Sequence, residues 1–183
     1  MAIQNIAVLG AGQMGNGITQ VAAAAGYNVT MIDIQQEYVD KGLATIERSL
    51  GKLVSKERMS QEDADATLAR ISLSTDRADC VDCDLVVEAV PEIVDLKTSI
   101  FAELDSICKP ETILASNTSS ISISTIADAT NRPDKVIGMH FMNPVPIMKL
   151  VEVINGNKTS SETNAAVIEA SEKMGKIALS CND

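Results

Sequence analysis

A chain of 183 residues, 45% hydrophobic and 22% charged, is long enough for one well-buried globular domain with room for a small appendage. Its formal charge of −10 argues against nucleic acid as a partner, because such binding needs a basic surface that displaces counterions. No stretch approaches the ~18 consecutive apolar residues of a membrane span, so no membrane partner is expected, and residues 1–10 lack the basic head and cleavage site of a secretory signal.

Ile3 to Leu9 is a short apolar run that predicts a strand, stopped by Gly10-Ala11-Gly12. Met14, Ile18, Val21 and Ala22 follow on one helical face, and Gly26 closes that helix. Asn28 to Ile34 reads as a second strand with Asp33 at its end, completing a βαβ unit of about thirty residues. Residues Gln36 to Arg70 then carry two polar helical patterns. The first runs to about Lys56, and Ser60-Gln61-Glu62-Asp63 caps the second, which predicts a helical hairpin inserted at about 36–70 and projecting from the sheet.

Strand and helix alternate afterwards. Ile71 to Ser74 is a strand, and Asp84 to Val90 is a buried one stopped by Pro91. Between them Cys80-Val-Asp-Cys83 is a lone CxxC with no second pair or nearby histidine. It is read, with Cys108 and Cys181, as reduced cysteine in a cytoplasmic setting and not as a metal site. Ile93 to Cys108 is helical, Thr112 to Ser116 a strand, Ile121 to Ala129 a short helix, and Lys135 to Phe141 the next strand. Asn143-Pro144-Val145-Pro146 is extended turn chemistry. Leu150 to Ile154 follows as a strand with Asn155-Gly156 as its turn, then a helix from Thr163 to Met174 and a strand from Lys176 to Ser180. With no Trp, two Tyr and two Phe, the core must come from Ile, Val, Leu, Ala and Met, which suits parallel strands covered by helices. The expectation is α/β: one domain over 1–183 with a Rossmann-type, doubly wound, mostly parallel sheet.

Gly10-Ala11-Gly12-Gln13-Met14-Gly15 is a G-x-G-x-x-G turn between a strand and a helix. The first glycine permits the tight turn, the second lets backbone approach a pyrophosphate, and the third lets the helix pack on the sheet. Asp33 lies at the end of the next strand, where a carboxylate accepts hydrogen bonds from the adenosine ribose and repels a 2′-phosphate, so the expected cofactor is NAD. Ligands of such sheets lie at the carboxyl ends of the strands. There, small Ala89 and Val90 let backbone pass beneath the nicotinamide ribose. Glu92 and Lys97 are candidates for ribose and nicotinamide-side contacts, with a capped helix and a solvated ion pair as the alternative, and Glu88 reads as mainly structural.

Two further strand ends carry polar clusters, Asn117-Thr118-Ser119-Ser120 and His140-Phe141-Met142-Asn143, which makes Asn117, Ser119 and Asn143 candidates for cofactor contact. His140 is the only histidine. Glu152 sits in Leu150-Val151-Glu152-Val153-Ile154, a strand apolar on both faces and hence expected to be buried, where a carboxylate needs a partner. A Glu152–His140 pair would fix the imidazole tautomer and raise its basicity, leaving the other ring nitrogen to accept a proton as hydride leaves a secondary alcohol for NAD.

These segments, above all His140-Phe141-Met142-Asn143-Pro144-Val145-Pro146-Ile147-Met148-Lys149-Leu150-Val151-Glu152-Val153, resemble the 3-hydroxyacyl-CoA dehydrogenases and within them the bacterial 3-hydroxybutyryl-CoA branch. The resemblance implies NAD-dependent interconversion of (S)-3-hydroxyacyl-CoA and 3-oxoacyl-CoA. His140 would be the base, Glu152 its partner, and Ser119 and Asn143 the hydrogen-bonding groups for the substrate's 3-oxygen. In the inserted hairpin, Ser49, Lys52 and Lys56 match positions that touch CoA. Members of the family continue into a helical C-terminal domain that supplies the dimer surface and the far wall of the cleft. The present chain has no counterpart, so an isolated N-terminal domain with weak or no turnover is expected. Two alternatives stay open: a non-catalytic dinucleotide-binding module, and the β-hydroxyacid dehydrogenases, which share the glycine turn but use a lysine base.

Overall fold

The computed structural model describes residues 2–183; Met1, the first residue of the expected 1–183 span, lies outside them. The first strand, β1 (Asn5–Leu9), is buried from Ile6 onward and has a parallel neighbour on each side, β2 (Asn28–Ile32) and β4 (Leu85–Glu88). A strand covered on both faces gains nothing from polar alternation, so Ile6-Ala7-Val8-Leu9 is continuously apolar. With β3 (Ile71–Ser74), β5 (Ile113–Ser116), β6 (Val136–Phe141), β7 (Leu150–Asn155) and β8 (Ile177–Asn182), the sheet has the order β3-β2-β1-β4-β5-β6-β7-β8. The first six in that order are parallel; β7 turns back, antiparallel to β6, and β8 runs parallel to β7, so the last two strands oppose the other six.

Helices cover both faces. On one, α1 (Gln13–Ala24) and α6 (Ser161–Lys173) place Ile18, Ala22, Val167 and Ala170 against Val8, Val87, Met139, Val151 and Val153. On the other, α4 (Val94–Ile107) and α5 (Ile123–Ala127) place Phe101, Leu104 and Ile126 against Ala7, Val86 and Leu114. The inserted hairpin is α2 (Gln36–Ser55) and α3 (Gln61–Ala69), the latter capped by the Ser60 hydroxyl, which accepts from Asp63 N–H. Val39, Ile46, Leu50 and Ala64 give it a core shared with Ala11 and Met31. It leans on the glycine turn and α1 more closely than a projecting hairpin would: a Cβ on Gly42 would stand 2.9 Å from the Ala11 carbonyl of the turn, and Arg70 donates to the Ala23 carbonyl of α1 at 2.9 Å.

Several expected boundaries shift for local reasons. β4 stops at Glu88, two residues early, because Val90 N–H donates to Glu88 Oε2 and leaves the ladder. The α6 helix starts at Ser161 because the Ser160 hydroxyl accepts from Thr163 N–H. Asn155 is the last residue of β7 and Asn155-Gly156 makes no hairpin, since the next strand is reached by a crossover through α6. Short 3₁₀ turns at Arg77–Cys80 and Pro133–Lys135 carried no signal at the sequence level. Cys80, Cys83 and Cys108 are buried free thiols, and burial pushes Cys83 and Cys108 up to about 11, which suppresses the thiolate at neutral pH. Among the described residues no helix is long and apolar enough to cross a membrane.

Candidate active site

Three connected cavities run along the carboxyl edge of the sheet. The first, about 280 Å³, lies between Asp33, Ile34, Thr75 and Arg77. The second, about 600 Å³, lies over Gly10, Gly12, Gln13 and Met14 and shares Asp33 and Val90 with the first. The third, about 310 Å³, is lined by Met14, Ala89, Val90, Glu92, Lys97, Asn117, Ser119, His140 and Asn143. The groove thus joins the expected ribose anchor, the glycine turn and the only histidine.

The glycine turn fits a dinucleotide on its own geometry. Gly10 has φ +102°, and a Cβ there would meet the Ala89 carbonyl at 2.5 Å; at Gly15 a Cβ would meet the Gly10 carbonyl at 1.8 Å. At Gly12 a Cβ would meet nothing within 4 Å, so that backbone faces open space. Gly12 is the N-cap of α1 and offers no side chain to its first N–H groups, which remain for an anionic ligand. Asp33 is held by two backbone donors, Ala11 N–H on Oδ2 at 2.8 Å and Ile34 N–H on Oδ1 at 2.7 Å, and faces both the first and second cavities.

Glu88, Glu92 and Lys97 form a network that sequence reasoning resolved only in part. Lys97 is 1% exposed, which corrects the solvated ion-pair alternative. Its Nζ lies 2.6 Å from Glu88 Oε2 and 3.2 Å from Glu92 Oε2, and donates to the Val90 carbonyl at 3.2 Å. Glu88 also accepts from the Ser116 hydroxyl at 2.7 Å; the two are register partners on adjacent parallel strands, a pairing visible only once strand order is known. Glu92 Oε1 accepts from the Thr118 hydroxyl, from Ser119 N–H at 3.0 Å and from Ser120 N–H at 3.3 Å, so it clamps the loop that carries Ser119. Burial alone would raise the Glu92 carboxyl, but the Thr118 hydrogen bond and the Lys97 charge outweigh it and hold it at about 2.

His140 and Glu152 are direct cross-strand partners in the antiparallel β6–β7 pair, which brings His140 Nδ1 to 2.8 Å from Glu152 Oε2. The expectation that this strand is buried on both faces is corrected. Val151 and Val153 are buried, but on the other face Leu150, Glu152 and Ile154 are only half-buried, Ile154 against the α4–α5 side of the core, and the Glu152 side chain is 36% exposed. Asn117 accepts from Phe141 N–H at 2.9 Å and ties the end of β5 to the end of β6 beside the histidine. Gln13 Nε2 donates to Asn143 Oδ1 at 3.0 Å across the groove, which leaves the Asn143 amide nitrogen free to donate into the third cavity. Ser49 is half-buried and Lys52 and Lys56 are exposed at the far end of α2; these three line none of the cavities described here.

Residues 5–183 match the family described as 3-hydroxyacyl-CoA dehydrogenase, NAD binding domain. A probable 3-hydroxybutyryl-CoA dehydrogenase of Deinococcus radiodurans is 54% identical over 176 residues, covering 96% of this chain and 63% of that protein. A counterpart of the same description from Bacillus subtilis is 49% identical, covering 100% of this chain and 64% of that one. The crystal structure of (S)-3-hydroxybutyryl-CoA dehydrogenase from Ralstonia eutropha superposes with a TM-score of 0.97 at 46% identity, covering all of this chain and 64% of that one. The chain therefore spans less than two thirds of the length of the relatives it matches.

Proposed function

We propose, on the premise that this chain belongs to the 3-hydroxyacyl-CoA dehydrogenase family, that it forms the NAD-binding domain of an enzyme interconverting (S)-3-hydroxyacyl-CoA and 3-oxoacyl-CoA, with 3-hydroxybutyryl-CoA and acetoacetyl-CoA foremost. The observation that carries this reading is the 2.8 Å His140–Glu152 pair, whose histidine lines one cavity with Ser119 and Asn143 beside the glycine turn. Bound NAD supplies the hydride acceptor. Glu152 holds the proton on His140 Nδ1, so Nε2 is the acceptor for the proton of the 3-hydroxyl. As the C3–H bond gives up its electron pair and the O–H bond its proton, C=O forms and the imidazole becomes charged against Glu152. Ser119 and the Asn143 amide nitrogen hold the 3-oxygen. Gly10, Gly12, Gln13, Met14 and Gly15 cradle the pyrophosphate, with Asp33 on the adenosine ribose.

Ser119 and Asn143 are exposed, so water reaches the reacting centre in this chain. A helical C-terminal domain of the kind the family resemblance implies would close that side and carry the homo-oligomer contact, with Ser49, Lys52 and Lys56 meeting the CoA. The three buried thiols suit a reducing cytoplasm. The test is acetoacetyl-CoA-dependent oxidation of NADH by this chain and by the same chain joined to the C-terminal third of a relative. The joined protein should turn over and the chain alone should bind NADH but turn over far more slowly, because proximity and water exclusion are incomplete. No thioester-dependent oxidation by the joined protein would contradict the reading.

A further inference from the structure

Two carboxylates and one ammonium meet beside the cavity that holds His140. Lys97 contacts both Glu88 and Glu92, and among the described residues neither acid has a second cation. Their other partners are neutral: Val90 N–H and the Ser116 hydroxyl on Glu88, and the Thr118 and Ser120 hydroxyls with the Ser119 and Ser120 N–H groups on Glu92. Such neutral donors do not cancel a carboxylate's charge. The cluster therefore carries one net negative charge. Glu88 and Lys97 are sealed from solvent, so water screens that charge poorly from within. It sits at the start of α4, where the first N–H groups of the helix favour negative charge. Glu92 and Lys97 both line the cavity, together with His140, Ser119 and Asn143.

On the reading given above, which this inference rests on, that cavity receives the nicotinamide end of NAD. The oxidised ring is a cation and the reduced ring is neutral, so a fixed negative charge separates the two forms where an ordinary contact does not. We propose that Glu92, held between Lys97 and the 118–120 loop, selects the oxidation state of the bound cofactor by strengthening NAD⁺ relative to NADH. Positive charge that leaves the ring when hydride arrives reappears on the His140 imidazole, beside Glu152. Each end of the transfer then has its own carboxylate: Glu92 at the ring, Glu152 at the base.

The test is equilibrium titration of NAD⁺ and NADH with the 183-residue chain and with its Glu92→Gln and Glu92→Asp variants, each checked for native circular dichroism. The Glu92 side chain is 37% exposed, and a glutamine oxygen still accepts from Ser119 and Ser120. In Glu92→Gln the Kd for NAD⁺ should rise relative to that for NADH on the order of tenfold, the size of a Coulomb effect over several ångströms at a partly wet site. Glu92→Asp should keep the native ratio, whatever happens to the two affinities separately. An unchanged ratio in Glu92→Gln would overturn the proposal, whether both affinities fall together or neither moves. An equal shift in Glu92→Asp would overturn it too, because geometry and not charge would be the cause. Failure of the native chain to bind either form would instead contradict the cofactor reading itself, and the inference with it.

Discussion

Asp33 is oriented before any ligand arrives, since each of its oxygens already accepts one backbone N–H. A carboxylate oxygen has room for a second donor, so on the proposed reading both would receive ribose hydroxyls while the charge would repel a 2′-phosphate. NADH should therefore bind more tightly than NADPH, and Asp33→Ala should narrow the difference by ~1–3 kcal/mol, the worth of hydrogen bonds to a charged group. Equal affinities in the native chain, read by cofactor fluorescence, would refute the assignment. Glu92 makes a separate prediction about acid. Its folded pKa of about 2 lies below the ordinary 4.5, so the fold favours the ionised form. That contribution is complete above the ordinary value and disappears as pH falls toward the folded one. The stability lost in Glu92→Gln should be greatest near neutrality and vanish near pH 2, as measured by urea unfolding across that range. Lys97 is the costlier residue to change: its removal leaves Glu88 buried without its cation, and Lys97→Met should destabilise by ~3–5 kcal/mol.

At the scale of elements, the strand–turn–helix at residues 5–24 separates folding from binding within one motif. Gly15 has no space for a Cβ, because the Gly10 carbonyl would stand 1.8 Å away, whereas Gly12 has open space. Gly15→Ala should therefore cost stability of ~3 kcal/mol or more. Gly12→Ala should keep the native melting temperature and lose NADH affinity, since its new methyl would project into the open space that the proposed reading gives to the cofactor's pyrophosphate. Equal loss of stability in the two would contradict this division. The inserted hairpin carries its own test. In the protein joined to a relative's C-terminal third, Lys52→Glu with Lys56→Glu should raise the KM for the thioester more than that for NADH, most clearly at low salt.

The sequence made legible what local patterns encode: the glycine turn, the capped hairpin, and the alternation of strand and helix. What it left obscure depends on registers between distant segments. Glu88 meets Ser116 only because β4 and β5 are adjacent, and Glu92 clamps Thr118, Ser119 and Ser120 across 26 to 28 residues of chain. Apolar residues on both faces of β7 predict burial on both, but coverage is a property of the neighbours and not of the strand, and Leu150, Glu152 and Ile154 stay only half-buried.

At the scale of the whole molecule, the charge of −10 does not spread evenly into function. Most of it lies on solvated helix faces, while the site concentrates acids in two places, around Lys97 and behind His140. One groove runs from Asp33 past the glycine turn to His140 over the carboxyl edge of a single sheet, so on the proposed reading cofactor binding and proton transfer would rest on different residues of one scaffold. That separation is the central claim, and His140→Gln tests it most directly. In the protein joined to the C-terminal third of a relative, NADH affinity and fold should stay near native, while kcat for acetoacetyl-CoA reduction should fall ~10²–10⁴-fold, the usual cost of losing a general base. Native turnover in His140→Gln would contradict the account.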